Sequence, residues 1–307
     1  MNLLNSDPYP LALSETKSLQ ISRRHLARRY SRVAHGLYAP NHVLARSSPH
    51  AWPLVARSLA IQKLFPSCAL SGFAALEARG VPFLDPLVPV TFWTTSNNTT
   101  RDFRFNAIPR RVSALPPCEG IGQLTVVPVA DSVIDALKAI ESGAATWWVP
   151  LISDLKKEEI RMVQIVDATR RYIGLSWADL KAAGHRRIKR KLLKTIWALS
   201  DPGADSPPET YLRLAVRDLT NWTSQREFFR ANGARLTAAD LADEKSKVAL
   251  FYDGEHHLHR DQRDYDSDVT QQLRLQGWEP IRITAGQLRN IKELRMRVWH
   301  FIERNTR

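Results

Sequence analysis

The stretch Asp240–His257 (DLADEKSKVALFYDGEHH) constrains this chain more than any other. Its centre, Val248–Tyr252, is an apolar and aromatic run that reads as a strand, and Asp253-Gly254 after it is a turn dipeptide. A strand rises about 3.3 Å per residue. If the chain before it folds back through a turn near Glu244, Asp240 and Asp253 come side by side at one end of a hairpin. Glu255, His256 and His257 stand just beyond. Carboxylates gathered at a strand end, with imidazoles nearby, are a hard-ligand set suited to Mg²⁺ or Mn²⁺. Such a set points to metal-assisted hydrolysis of a phosphodiester. The same residues also fit a plainer role, a solvated Asp-Gly turn followed by a loop.

Charge narrows the choice of partner. The 307 residues carry 44 Lys+Arg against 31 Asp+Glu, a formal +13, which favours a polyanion. Nucleic acid is the expected one. A membrane surface would come with an anchor, and no apolar run approaches the roughly 18–20 residues that span a bilayer. The first residues also lack a basic-then-apolar signal pattern. Two cysteines, Cys68 and Cys118, are too few and too far apart for a disulfide framework or a zinc site. A cytoplasmic, non-membrane protein is the expectation.

In chain order, residues 1–16 read as a loose leader with prolines at 8 and 10. Ser14–Arg32 reads as a basic helix: Lys17, Arg23, Arg24, Arg28, Arg29 and Arg32 occur without an acid between residues 17 and 35. Arg32–Pro40 reads as two short strands about Gly36. A helix follows over Ala51–Phe65, and Cys68–Gly80 reads as a small-residue helix with a glycine cap. Strands are expected at Val88–Phe92, at Phe103–Phe105 and at Leu124–Val129, then a helix capped by Asp131. Trp147-Trp148 reads as core or as packing on a neighbouring domain. Residues 154–200 read as helical, with Arg186, Arg187, Lys189, Arg190 and Lys191 in a second basic run. DNA phosphate is the expected counter-charge for both runs.

Asp201–Pro208 (DPGADSPP) reads as a linker. Ser206 and Glu209 then fit a capping box, with proline in the first turn. His259–Leu275 reads as a charged helix, Pro280–Ile283 as a buried strand, and Gln287–Arg304 as a closing helix with Leu294, Val298, Trp299 and Ile302 on its apolar side. The expected architecture is a multidomain α/β chain. It comprises a small winged-helix-like segment over 1–48, an α+β middle domain over 49–200 and an α/β nuclease-like domain over 201–307.

Two resemblances sharpen this. Asp240-Leu241, the apolar strand, Tyr252–His257 and Gly277–Thr284, with Ser206–Glu209 upstream, resemble the core motif of the PD-(D/E)XK nuclease superfamily in its very-short-patch-repair branch. The resemblance implies that Asp240 holds Mg²⁺ or Mn²⁺, with the backbone carbonyl at Tyr252. Asp253 and Glu209 would hold metal-bound waters or a second ion, and His256 or His257 would orient the attacking water. The chain departs from the pattern at Phe251, where many relatives carry Glu, and the usual lysine is missing. Arg32–Pro40 and Cys68–Gly80 resemble the winged helix and middle domain of AbiEi-type antitoxins. That resemblance implies DNA binding and a cognate toxin. The competing expectation is therefore a non-catalytic regulator of a toxin–antitoxin or phage-defence system that carries a degenerate nuclease fold.

Overall fold

The computed structural model describes residues 10–46, 48–97, 105–253 and 260–306, and of His50 and residues 260–266 only the backbone. The chain is mixed α/β and forms two compact units. The first comprises residues 1–147 and 175–193, the second 148–174 and 194–307. The division runs through the segment read as a middle domain, and Asp201–Pro208 lies inside the second unit rather than between units.

The first unit opens with β1 (Leu11–Ala12), α1 (Arg23–Arg29), β2 (Tyr30–Ala34) and β3 (Leu37–Pro40), which form an antiparallel sheet of order β1-β3-β2. Leu11 is fully buried, so the expected loose leader ends before it. The expected helix over Ser14–Arg32 is shorter than read. Gln20 takes a left-handed φ of 54°, and Ser22 restarts the helix by accepting the His25 N–H. Gly36, at φ 78°, makes the β2–β3 turn as expected.

Then come α2 (Asn41–Arg46), α3 (Leu54–Leu64), β4 (Ala69–Ser71), α4 (Gly72–Ala78), β5 (Val90–Thr94), β6 (Ala107–Arg111), β7 (Glu119–Ile121), β8 (Leu124–Val126) and α5 (Val129–Glu141). The strands form a mixed sheet of order β6-β5-β4-β8-β7. The helix expected over Cys68–Gly80 thus begins as a strand, because Ala69-Leu70-Ser71 is buried between β5 and β8. The expected glycine cap stands, with Gly80 at φ 86°. Asp131 lies in the first turn of α5, and the cap position belongs to Pro128. Phe103 and Arg104 lie outside the described residues.

The chain next runs through α6 (Lys157–Tyr172) of the second unit, returns as α7 (Trp177–Ala183), and continues through α8 (Arg190–Leu199) and α9 (Pro207–Val216). The remaining elements are β9 (Thr223–Phe229), β10 (Arg235–Asp243), β11 (Val248–Asp253), α10 (Arg260–Leu275), β12 (Glu279–Thr284) and α11 (Ile291–Thr306). From α9 onward the element order is αβββαβα, on a sheet of order β12-β11-β10-β9. β9, β10 and β11 are antiparallel neighbours, and β12 runs parallel to β11.

A parallel return needs a crossover, and α10 supplies it. Gly277, at φ 80°, ends α10 with the Gly277 N–H on Arg274 O (3.0 Å) and the Trp278 N–H on Leu273 O (2.9 Å). That turn delivers Trp278 edge-on to Phe228, 4.9 Å between centroids, in a core with Ala242, Ala249 and Leu273. Val248, Ala249 and Leu250 are all fully buried, as expected of a strand covered on both faces. Trp299 is exposed, against its reading on the apolar side of the closing helix; Trp148 is exposed but meets Tyr211 edge-on, and Trp147 meets Phe73 edge-on.

Candidate functional site

The expected hairpin forms, with its turn at residues 244–247. Its antiparallel register runs from Asp243 opposite Val248 to Leu241 opposite Leu250. One residue further, the carboxylate of Asp240 accepts the Tyr252 N–H. A side chain thus takes a place that a ladder carbonyl would fill.

Two further side chains meet there. Glu209, in the first turn of α9, accepts from the Asp205 N–H (2.8 Å), the Ser206 hydroxyl (2.7 Å) and the Gln225 amide (3.2 Å). The expected capping box is not formed: the Ser206 hydroxyl makes no cap bond to the helix backbone but donates to Glu209, which itself takes the Asp205 N–H, one residue before the cap. Gln225 also lies beside Asp240, where it offsets a small part of that carboxyl's rise. Gln225 lies within β9 at a left-handed φ of 53°, between the pairs Arg226–Ala239 and Ser224–Leu241. A non-glycine residue there carries backbone strain, which gathers at functional positions.

The electrostatics are one-sided. Burial, then the charge of Glu209, push the Asp240 carboxyl up to about 7, against the opposing bond from Tyr252. Burial also raises Glu209, offset in part by the Asp205 N–H, the Ser206 hydroxyl and the more distant charge of Arg171. Arg171 pairs with Asp205 at 2.5 Å. Among the described residues, neither Asp240 nor Glu209 forms an ion pair.

Asp253 is placed otherwise. Its carboxylate lies 3.9 Å from Arg282 of β12, and that guanidinium lies 5.9 Å over the Phe251 ring. The described contacts therefore join Asp240 to Glu209 and Gln225, and Asp253 to Arg282, rather than Asp240 to Asp253. Glu255, His256 and His257 lie outside the described residues. Asp268 pairs with Arg230 at 2.6 Å. Gln225 and Asp205 had no sequence signal: the first is one polar residue in a polar strand, the second one acid in a turn-rich stretch.

The basic runs divide. Arg23, Arg24, Arg28, Arg29 and Arg32 are exposed, with no acidic partner among the described residues, and Arg24, His25, Arg28 and Arg29 line a concavity on α1. In the second run Arg186, Lys189, Arg190 and Lys191 are exposed. Arg187, expected on DNA, instead turns inward to Asp131 and to buried Asp135 (2.7 Å), which also takes Ser71, Trp93 and Arg110. A buried carboxylate needs a counter-ion nearby, and Arg187 supplies it.

Compared with protein-family models and with curated proteins, the sequence matches none. Among the described residues, no helix is long and apolar enough to cross a membrane.

Proposed function

We propose that the chain is a DNA-binding protein whose second unit carries a metal-dependent phosphodiesterase site of the PD-(D/E)XK kind, centred on Asp240 and Glu209. The observation that carries this reading is the pair itself. Two carboxylates, Asp240 of β10 and Glu209 of α9, stand together beside strained Gln225 of β9, both raised and neither in an ion pair among the described residues. The αβββαβ order beneath them supports the same superfamily.

The donor set suits Mg²⁺ or Mn²⁺. It offers carboxylate oxygens from Asp240 and Glu209 and amide oxygen from Gln225. In an extended strand a residue's N–H and C=O project to the same side, so the Tyr252 carbonyl faces the strand that bears Asp240. Among the described residues no three His, Cys, Asp or Glu side chains gather as a metal cage. When bound, such an ion supplies charge stabilisation at phosphorus. Asp240 and Glu209 would hold the cation, Gln225 orients Glu209, and the exposed arginines of α1 would hold the phosphate backbone.

The N-terminal segment supports DNA contact by its arrangement as well as its charge. An arginine-bearing helix immediately before a hairpin, with an earlier strand on the hairpin's far edge, matches the order of a winged helix. A second reading, a non-catalytic regulator with a cognate toxin, is favoured by Phe251. This residue packs on the core where many relatives place an acid.

Supercoiled plasmid incubated with the protein and Mn²⁺, beside Asp240→Ala, separates the readings. Nicking by wild type alone supports hydrolysis. Equal background in both, with salt-sensitive binding retained, refutes hydrolysis and supports the regulator.

A further inference from the structure

The segment between α7 and α8 encloses a pocket of about 140 Å³, all of it in the first unit. Apolar Ile188 and Leu193, aromatic Trp177 and His185, and the exposed cations Lys181, Arg186 and Arg190 line it. That is about the room one aromatic ring takes. A Cβ on Gly184, also in the lining, would meet Leu193 Cδ2 at 2.8 Å and Ile134 and Ile188 at 3.2 Å, so the apolar lining is closely packed.

The cationic lining has two features that a solvated basic face does not need. First, the charges are sorted. Arg187 goes inward to Asp131 and Asp135, while Lys181, Arg186 and Arg190 stay exposed with no acidic partner among the described residues. Second, Arg186 holds a left-handed φ of 57°, which glycine or asparagine would adopt more easily. Strain of this kind persists at ligand clamps. An aromatic side chain stacks a flat heterocycle, and guanidinium and ammonium groups bind phosphate oxygens.

We propose that this pocket binds a nucleotide, free or at the 5′ end of a strand. The ring packs on Trp177, and the phosphate is held by Lys181, Arg186 and Arg190. The proposal rests on the nucleic-acid reading of the α7–α8 segment and is independent of hydrolysis at Asp240, which lies in the other unit.

Isothermal titration of the full chain in chelator, with thymidine 5′-monophosphate and with thymidine, tests it. The monophosphate is expected to bind at least about tenfold tighter than the nucleoside. Trp177→Leu is expected to weaken it at least about fivefold. Arg186→Gly removes a cation and relieves the left-handed backbone, so it is expected to weaken binding while raising the melting temperature. A purely structural arginine would not show that combination. A 5′-phosphorylated pentathymidylate that binds tighter than the monophosphate makes the ligand a strand end; equal affinity makes it a free nucleotide. Equal binding of nucleoside and nucleotide, no binding, or unchanged binding by Arg186→Gly would overturn the proposal. Duplex DNA binding measured alongside separates the two failures. If it survives, the pocket falls alone; if it is lost too, the nucleic-acid reading of this segment falls with it.

Discussion

Replacing Asp240 with asparagine should make the metal-free protein more stable at alkaline pH. The carboxyl is pushed from 3.8 up to about 7 by burial and by Glu209. Between those values the folded chain binds more protons than the unfolded chain. Stability therefore falls as pH rises through that window and stays low above it. At 1.36 kcal/mol per unit the full shift corresponds to about 4 kcal/mol. Solvent reaches this half-buried side chain, and a realised penalty of about 1–2 kcal/mol is expected once screening is included. Asparagine has no charge to desolvate and keeps an oxygen for the Tyr252 N–H. In EDTA at pH 8 the variant should melt about 3–8 °C above wild type, with the gap closing towards pH 4. Mn²⁺ should then raise the wild-type transition and leave the variant where it was. The assay is a pair of thermal melts across pH, with and without metal. If the variant melts below wild type at pH 8 in EDTA, the site is not charge-strained and the reasoning fails.

Arg187→Ala should cost about 1–3 kcal/mol, because it strips one counter-ion from buried Asp135 while Arg110, Ser71 and Trp93 remain on it. Arg190→Ala should cost under about 0.5 kcal/mol and reduce the salt dependence of DNA binding by about one unit; chemical denaturation and binding at several salt concentrations check the pair. Cys68 is buried and its thiol is pushed up to about 12, whereas Cys118 is exposed. A thiol-specific reagent should therefore modify Cys118 in the native protein and Cys68 only on unfolding, read by the count of labelled thiols before and after denaturant.

Much of the second unit was legible because its signals are local and unopposed. Val248–Tyr252 is apolar and β-prone, and the residues before it allow one reversal, so the β10–β11 hairpin followed. Pro207-Pro208 and Glu209 announced α9. The first unit was harder, since short apolar runs do not distinguish strand from helix. Ala69-Leu70-Ser71 continues into Gly72–Ala78 without a polar break, and pairing with β5 and β8 makes it a strand. The spacing of Leu19, Ile21 and Leu26 suggested one long helix, and a single left-handed residue, Gln20, cut it. Charge runs misled in a different way. Arg187 sits among exposed cations in sequence, and its role depends on two acids more than fifty residues upstream.

The same accounting identifies what is unusual about Asp240. Two other buried acids among the described residues have arginines beside them, although burial still raises Asp167 to about 6. Asp135 has Arg110 and Arg187, and Asp167 has Arg213, the Thr210 hydroxyl and the Asp201 N–H. Asp243, buried three residues beyond Asp240 on the same strand, takes the N–H and hydroxyl of Ser246. A fold that brings arginines to Asp135 and Asp167 has the means to bring one more. An arginine or lysine at position 225 would reach both Asp240 and Glu209, yet the chain places a neutral amide there, on strained backbone. A neutral amide beside the two carboxylates leaves their charge for a cation from solution. A lysine at that position would stabilise the apo protein and exclude the metal. Gln225→Lys is accordingly expected to raise the melting temperature in EDTA and to abolish the response to Mn²⁺. A Mn²⁺ response equal to that of wild type would mean that the cation binds elsewhere.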